Sequence, residues 1–421
     1  MYDLHDDWRK MRRSSEAEVS RFSGLGKVEG LKRGMNTTAE VLIIGGGVIG
    51  SSIAYHLARQ GRQVLVIERS SVAAKPTASW ASAGGVRRQG RHPAEAKLAV
   101  EAIERWQTLE QELEADLHYR SGGNLLLAES DTEAEQLSAF VQQQHEMGFA
   151  DVRLVDRKEA HTLVPGLNDR VAAGSYSPSD GQADPALTTR AFAAAAERQG
   201  ATYWTGTAVS SLRVQRERVV GAQTERGEVQ AEHIVLVAGA WSDDLATAIG
   251  LRLPIRTRAL QMILSTPAPA NILQPVLSAV RRTLSLKQLT DGAFLLGGGW
   301  PGDPTPDRQS CVLRPSSVQG NWATACELLP VVSQQGIARA WCGLEAQSFD
   351  DLPFIGTIPG LDGLTIAVGF SGHGFAIAPA VGRCVADQIN GHIVMELDDL
   401  SPSRMPTFPS DRIEAFMTET E

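Results

Sequence analysis

The 421-residue chain has only four cysteines, Cys311, Cys326, Cys342 and Cys384, and they stand far apart. Their positions show neither metal-ligand spacing nor a disulfide framework, so the sequence predicts separate thiols, no metal centre and a reducing, cytoplasmic compartment. No stretch offers the roughly 18 unbroken apolar residues of a membrane-spanning helix, and no span is predicted. Basic charge is also short, with 40 Lys and Arg against 49 Asp and Glu and a net charge of −9. That balance leaves no footprint for nucleic acid or an anionic membrane. Internal repeats and low-complexity linkers are missing too, so any lobes are expected to interleave.

What is present is ordinary for a globular enzyme: 43% apolar and 21% charged residues, in a chain long enough for two or more lobes. The N-terminus is the exception. Residues 1–34 mix Asp3, Asp6, Asp7, Glu16 and Glu18 with Arg9, Lys10, Arg12 and Arg13. They contain no apolar signal core and too many acids for a transit segment. Residues 1–37 are expected to form a polar, poorly ordered extension. Met35 lies a few residues before the first strand, which leaves both an upstream start assignment and a functional arm open.

The most informative stretch is Val41-Leu42-Ile43-Ile44-Gly45-Gly46-Gly47-Val48-Ile49-Gly50, followed 18 residues later by Glu68. It reads as a buried strand, a tight glycine turn, a helix and a second strand, Val64 to Ile67. Gly45 makes the turn, Gly47 lets the backbone approach a pyrophosphate, and Gly50 lets helix and strand pack closely. Val48 and Ile49 open the helix, whose N-terminus offers free N–H groups and positive partial charge. A carboxylate at Glu68 accepts hydrogen bonds from an adenosine ribose and repels a 2′-phosphate, which disfavours NADP. At this point NAD and FAD are equally allowed.

Past Glu68, helical spacing predicts helices over 93–116 and 131–147, with a strand over 123–128 between them. Asp184-Pro185 supplies an N-cap and a first-turn proline for a helix over 186–199. Short strands are predicted at 201–204, 211–214, 219–224 and 233–237, the last apolar enough for an inner parallel strand. Residues 252–300 are strand-rich, at 256–264 and 293–298, and a final helix runs from about 377 to 390.

The chain resembles the FAD-dependent D-amino-acid oxidase superfamily, particularly its glycine oxidase and sarcosine oxidase β-subunit branch. The resemblance covers about residues 38 to 405 and rests on five motifs in order. After Gly45–Gly50 with Glu68 come Ser82-Ala83-Gly84-Gly85-Val86-Arg87, then Asp180-Gly181-Gln182-Ala183-Asp184-Pro185, then Ala238-Gly239-Ala240-Trp241-Ser242. The last block holds Trp341-Cys342-Gly343-Leu344, Asp350 to Gly356, and Gly369-Phe370-Ser371-Gly372-His373-Gly374-Phe375. The resemblance implies an α/β fold: a Rossmann-like FAD-binding domain interleaved with an α+β substrate domain on a mostly antiparallel sheet, the glutathione-reductase-2-type FAD fold. The expected boundaries are 38–84, 155–245 and 338–400 for the FAD-binding domain, 85–154 and 246–337 for the substrate domain, and 401–421 for a C-terminal tail.

The resemblance also implies a cofactor site. Ser82, Ala83, Gly84 and Gly85 lack bulk, which suits a flat ring lying against backbone. The turn at Gly372, His373, Gly374 and Phe375 opens a helix aimed at the flavin's pyrimidine end, where its N–H groups stabilise a reduced, anionic flavin. Val209, Gly239, Trp241 and Gly343 complete the cofactor set, and His373 is given a backbone role rather than that of a base. Arg87 is the candidate for gripping a substrate carboxylate or contacting the flavin, whereas Arg88 and Arg91 are expected to be solvated. Gln261 and Trp300 are weaker candidates for the cavity wall.

Two departures matter. Relatives with flavin bonded to histidine carry it just after a Trp, and here Trp80 is followed by Ala81. Relatives bonded through cysteine carry it where Gly343 stands here. The expectation is non-covalent FAD. Monomeric sarcosine oxidases also place lysines at positions that here hold Ala376 and Leu295, which puts rapid reaction with oxygen in doubt.

The implied reaction is oxidation of a CH–NH bond in an amino acid or secondary amine of the N-methyl amino acid, opine or imino acid type, by hydride transfer to flavin N5. Electrons leave to oxygen or to a partner subunit, in a homo- or hetero-oligomer. No cysteine cluster here suits an iron–sulfur relay. A 2-hydroxy-acid dehydrogenase, or a flavin-binding subunit with little activity of its own, are the alternatives on the same fold.

Overall fold

A computed structural model describes residues 37–392 and 395–418. The expected polar extension, up to residue 36, lies outside them. Strand β1 (Thr37–Ile44), helix α1 (Val48–Arg59) and strand β2 (Val64–Ile67) follow as the sequence predicts. Strand β3 (Gly85–Val86) is half of a short ribbon, and helix α2 (Ala96–Trp106) leads to a second sheet. That sheet begins with β4 (Asn124–Ala128), then helix α3 (Asp131–Glu146), β5 (Arg153–Asp156) and β6 (Ala173–Ser177). Strand β7 (Gly181–Gln182) pairs with β3 to close the ribbon, and helix α4 (Pro185–Arg198) returns to the first sheet. There the chain lays down β8 (Thr202–Trp204), β9 (Val209–Gln215), β10 (Arg218–Thr224) and β11 (Gly227–Leu236). It then crosses back for β12 (Ile255–Pro267), β13 (Val276–Ala279), β14 (Arg282–Gln288), β15 (Ala293–Gly297), β16 (Pro301–Pro304), β17 (Cys311–Val312) and β18 (Ile337–Ser348). Strands β19 (Phe354–Ile358) and β20 (Leu361–Val368) and helix α5 (Gly374–Ile389) finish on the first sheet.

The first sheet has eight strands, in the order β19-β20-β10-β11-β1-β2-β8, with β9 on β10. Its centre is parallel: β1 pairs in parallel with β2 and β11, and β11 with β20. Strands covered on both faces must be apolar throughout, and Val41 to Ile44 and Ile234 to Leu236 are all buried. The second sheet orders its strands β17-β16-β12-β15-β14-β13-β4-β6-β5, with β18 on β12, and every pair but β4–β13 is antiparallel. The expected fold class is therefore the observed one. Strands β6 and β18 both pair in the second sheet, although the expected boundaries had assigned 155–245 and 338–400 to the dinucleotide lobe.

Two of the cysteines depart from expectation. Cys311 and Cys342 form a disulfide, with Cα atoms 6.1 Å apart, while Cys326 and Cys384 are free. The correction has a topological reason. Strand β17 folds back on β16, whose Gly302 has its Cβ position 3.5 Å from Cys342 Cβ, so two cysteines 31 residues apart meet where β17 packs directly against β18. No helix among the described residues is long and apolar enough to cross a membrane.

Helix packing places the ends that matter. Helix α1 lies on α5 so closely that a Cβ at Gly382 would come within 2.0 Å of Ser52 Oγ, and that hydroxyl donates to the Ala378 carbonyl at 2.9 Å. Trp106, fully buried at the end of α2, packs against Tyr119 and Phe375 and donates its indole N–H to the Ala376 carbonyl at 2.8 Å. Glu101 and Arg383 form an ion pair across the same seam. These contacts fix α2 against α5.

Burial also sets a pH dependence. His56 on α1 is pushed down to about 3 and His233 on β11 to about 4, in both cases chiefly by burial, with nearby arginines adding to the effect. Both are neutral in the fold and take up a proton on unfolding once the pH drops below the ordinary value of about 6.5. Unfolding is therefore favoured as pH falls from about 6.5 toward 4, by about 1.4 kcal/mol per pH unit for each group. Thermal melting across that range should show the loss, and His56→Leu should flatten it.

Candidate functional site

A cavity of about 800 Å³ runs between the two sheets. At one end the turn after β1 closes tightly. Gly45 has φ +114°, and a Cβ there would lie 2.5 Å from the Val237 carbonyl oxygen, while a Cβ at Gly50 would lie 2.0 Å from the Gly45 oxygen. Only glycine satisfies both contacts. Gly47 is the N-cap of α1, and Val48 N–H donates to Ser79 Oγ at 3.0 Å. Glu68, at the end of β2, accepts from Gly46 N–H at 2.8 Å and Ser70 N–H at 2.9 Å, so its carboxylate is held facing the turn. Gly45, Gly47, Val48, Ile49, Glu68, Val209, Gly239 and Trp241 line this end, whereas Gly50 packs behind it. The Arg69 guanidinium stacks 3.7 Å over Trp241, whose indole donates to the Arg308 carbonyl at 3.2 Å. Arg308 comes from the segment between β16 and β17, so the second sheet closes over the first.

The other end is built on the β3–β7 ribbon. Ser82, Ala83, Gly84 and Gly85 line it, and Gly84 has φ +71° with the Ala183 oxygen 2.0 Å from where a Cβ would stand. Asp180, fully buried before β7, accepts from the N–H groups of Arg88 at 3.0 Å and Gln89 at 3.2 Å. Burial raises its pKa, partly offset by those hydrogen bonds and by Arg87 and Arg88. That carboxylate fixes the turn from which Arg87 projects. Arg87 lines the cavity and makes no hydrogen bond or close ion pair among the described residues, and burial lowers its pKa against the pull of Asp180 and Glu95.

Opposite Arg87, Gly372, His373, Gly374 and Phe375 line the cavity at the N-terminus of α5. Gly369 and Gly372 take positive φ values of 73° and 82°, which reverses the chain out of β20. His373 Nδ1 lies 3.0 Å from Oε2 of Glu95, a carboxylate with no solvent exposure. Burial lowers the His373 pKa, as do Arg91 and Arg87, while Glu95 raises it. Glu95 is held low mainly by His373 and Arg91, against burial. Gly343 of β18 completes the wall, its Cβ position only 2.1 Å from the Ala81 Cβ.

Several residues depart from the sequence reading. Arg91 is not solvated: it is 6% exposed, lines the cavity beside Arg87, and is pushed down to about 10 by burial. Arg88 is tied to Asp151 and Asp180 instead of facing water. Gln261 points away, because on β12 it is Leu260 and Met262 that reach the cavity, and the Trp300 ring packs on Gly320. The Leu295 position lacks a lysine, yet Lys287 stands directly across from it on β14, buried and pushed down to about 7. Glu95 and Lys287 carry no motif and do not line the cavity; the fold sets one against His373 and the other across from Leu295.

The family model described as FAD dependent oxidoreductase (DAO) matches residues 40–388. The chain is 30% identical to the mitochondrial dimethylglycine dehydrogenase of Rattus norvegicus over 87% of its own length and 45% of that protein's. It therefore spans about half the length of that relative. It is also 30% identical to a glycine oxidase of Pseudomonas aeruginosa, covering 83% of this chain and 94% of the other. Among solved structures, the L-proline dehydrogenase of P. horikoshii superposes with a TM-score of 0.83 at 28% identity, over 89% of this chain and 99% of that one.

Proposed function

The chain belongs to the DAO family of FAD-dependent oxidoreductases, and from that premise we propose that it oxidises the CH–NH bond of an amino acid or secondary amine to an imine. The substrate class is an N-methyl amino acid, opine or imino acid, and the electrons pass on to oxygen or to a partner polypeptide. The cavity supports this cofactor on its own terms. Its volume, the two glycines that admit no Cβ and the Glu68 carboxylate suit an adenosine diphosphate, and the wall of Ala83, Gly84 and Gly85 suits a flat ring.

The observation that carries the reading is Arg87: a guanidinium lining the cavity that makes no hydrogen bond or close ion pair among the described residues. A buried cation of this kind is matched by a carboxylate, bidentately where geometry allows, and Arg91 beside it adds a second positive charge. When bound, FAD supplies a hydride acceptor. The protein's part is to fix the carboxylate, hold the α-carbon in reach and exclude water. Anaerobic mixing with secondary amino acids should bleach the flavin; bleaching by 2-hydroxy acids alone would overturn the assignment.

Non-covalent binding belongs to the same proposal. Ala81 and Gly343, at the positions where relatives carry a bonding histidine or cysteine, lie against each other at the cavity wall. Neither side chain offers a nucleophile. Acid precipitation should leave all the yellow colour in the supernatant, and a yellow pellet would contradict it.

A further inference from the structure

We propose that His373 is the base that takes the proton from the substrate's ammonium group, with Glu95 as the buried carboxylate that positions and supports it. The proposal rests on the amine-oxidation reading above. Amino acids reach the site as ammonium ions, whose nitrogen has no lone pair to support loss of hydride from the neighbouring carbon. Something must remove that proton, and His373 lines the cavity with a carboxylate fixed behind it.

The geometry sets the tautomer. A carboxylate only accepts, so the His373 nitrogen 3.0 Å from Glu95 must carry the hydrogen, and Nε2 is left with its lone pair. No described residue hydrogen-bonds Nε2, and His373 lines the cavity. Glu95 is inaccessible to solvent and its second oxygen, Oε1, has no partner. An ionised carboxylate so placed is costly unless a positive charge develops beside it. The two residues lie 278 positions apart and meet because the Trp106 and Glu101 contacts fix α2 against α5.

The charges facing the imidazole are Glu95, Arg91 and Arg87, with His92 also facing Glu95. In the free site burial and the two arginines keep His373 neutral and ready to accept. A substrate carboxylate between them offsets their charge, and His373 becomes a stronger base when substrate is present. In the transfer the ammonium N–H bond breaks, the proton bonds to Nε2, and the electron pair stays on nitrogen. The imidazolium is then held by Glu95.

The test is the pH profile of anaerobic flavin reduction by a secondary amino acid. Wild-type protein should keep its plateau rate down to about neutral pH. His373→Asn should lose roughly a hundredfold at about pH 7 and return to within about threefold of wild type near pH 10, where the amine loses its proton unaided. Glu95→Gln, which keeps the imidazole, should lose about tenfold at neutral pH with the same recovery, and it carries the test if the first variant does not fold. A binding readout runs in parallel with 2-methylalanine, which has no α-hydrogen to lose. Its affinity should be flat with pH around neutrality in wild type and climb about tenfold per unit in His373→Asn. A loss equal at every pH, or unchanged profiles, would overturn the proposal. Failure of all amines to reduce the wild-type flavin would instead remove the amine-oxidation reading beneath it.

Discussion

Gly50→Ala yields a protein that purifies without flavin. The added methyl would stand 2.0 Å from the Gly45 carbonyl oxygen, 3.0 Å from Val237 Cγ2 and 3.2 Å from the Gly45 carbonyl carbon. Two of these three atoms are backbone, so no rotamer change relieves the contact. Gly45 is itself held in place, since its φ is +114° and its N–H donates to the Ile67 carbonyl at 2.9 Å. The helix must back away from the strand, which moves its first N–H groups out of the cavity. Overpacking against backbone costs about 3 kcal/mol or more, and if it falls on the bound state, affinity drops at least about a hundredfold. Gly47→Ala separates the causes. Its Cβ meets only Ser79 Oγ, at 3.2 Å, so the apoprotein should melt normally while flavin retention falls. Visible flavin absorbance per protein and melting of the apoprotein are the measurements. Full flavin content in Gly50→Ala would refute the account.

The contrast between that turn and the rest of the site shows what a sequence can disclose. The glycine turn is legible because its parts are local: strand, turn, helix and acid follow within 28 residues, from Val41 to Glu68. The parallel centre was legible for a similar reason, since only apolar runs survive burial on both faces. Arg91 was misread because local sequence says nothing about whether a guanidinium meets water; the fold buries it beside Arg87 and Glu95. Glu95 itself looks like any acid ahead of a helix. The disulfide was missed because Cys311 and Cys342 meet only where β17 packs directly against β18. Lys287 likewise belongs to a register between β14 and β15 that composition does not encode. Turn chemistry is short-range, whereas these contacts are consequences of strand order.

Arg87→Met should weaken a carboxylate substrate by about 30- to 4,000-fold, the range for removing one partner of a buried charge pair at about 2–5 kcal/mol. Flavin content should be unchanged, because Arg87 stands at the far end of the cavity from the glycine turn. The stability effect should have the opposite sign. In the free protein the guanidinium is largely buried and makes no hydrogen bond among the described residues, and burial already lowers its pKa. Methionine fills similar space without that desolvation, so the variant apoprotein should melt no lower than wild type, although Asp180 and Glu95 lose a nearby cation. Arg87→Lys should fall between the two, keeping charge but losing the two-pronged grip. The decisive comparison uses an amine matched to the substrate but lacking its carboxylate. If Arg87 acts on the carboxylate, the variant's loss should vanish with that ligand, as a double-mutant cycle requires. A loss that persists without the carboxylate would place Arg87 with the flavin rather than the substrate. Anaerobic titration monitored by flavin absorbance distinguishes the two, and it does so without any assumption about the final electron acceptor.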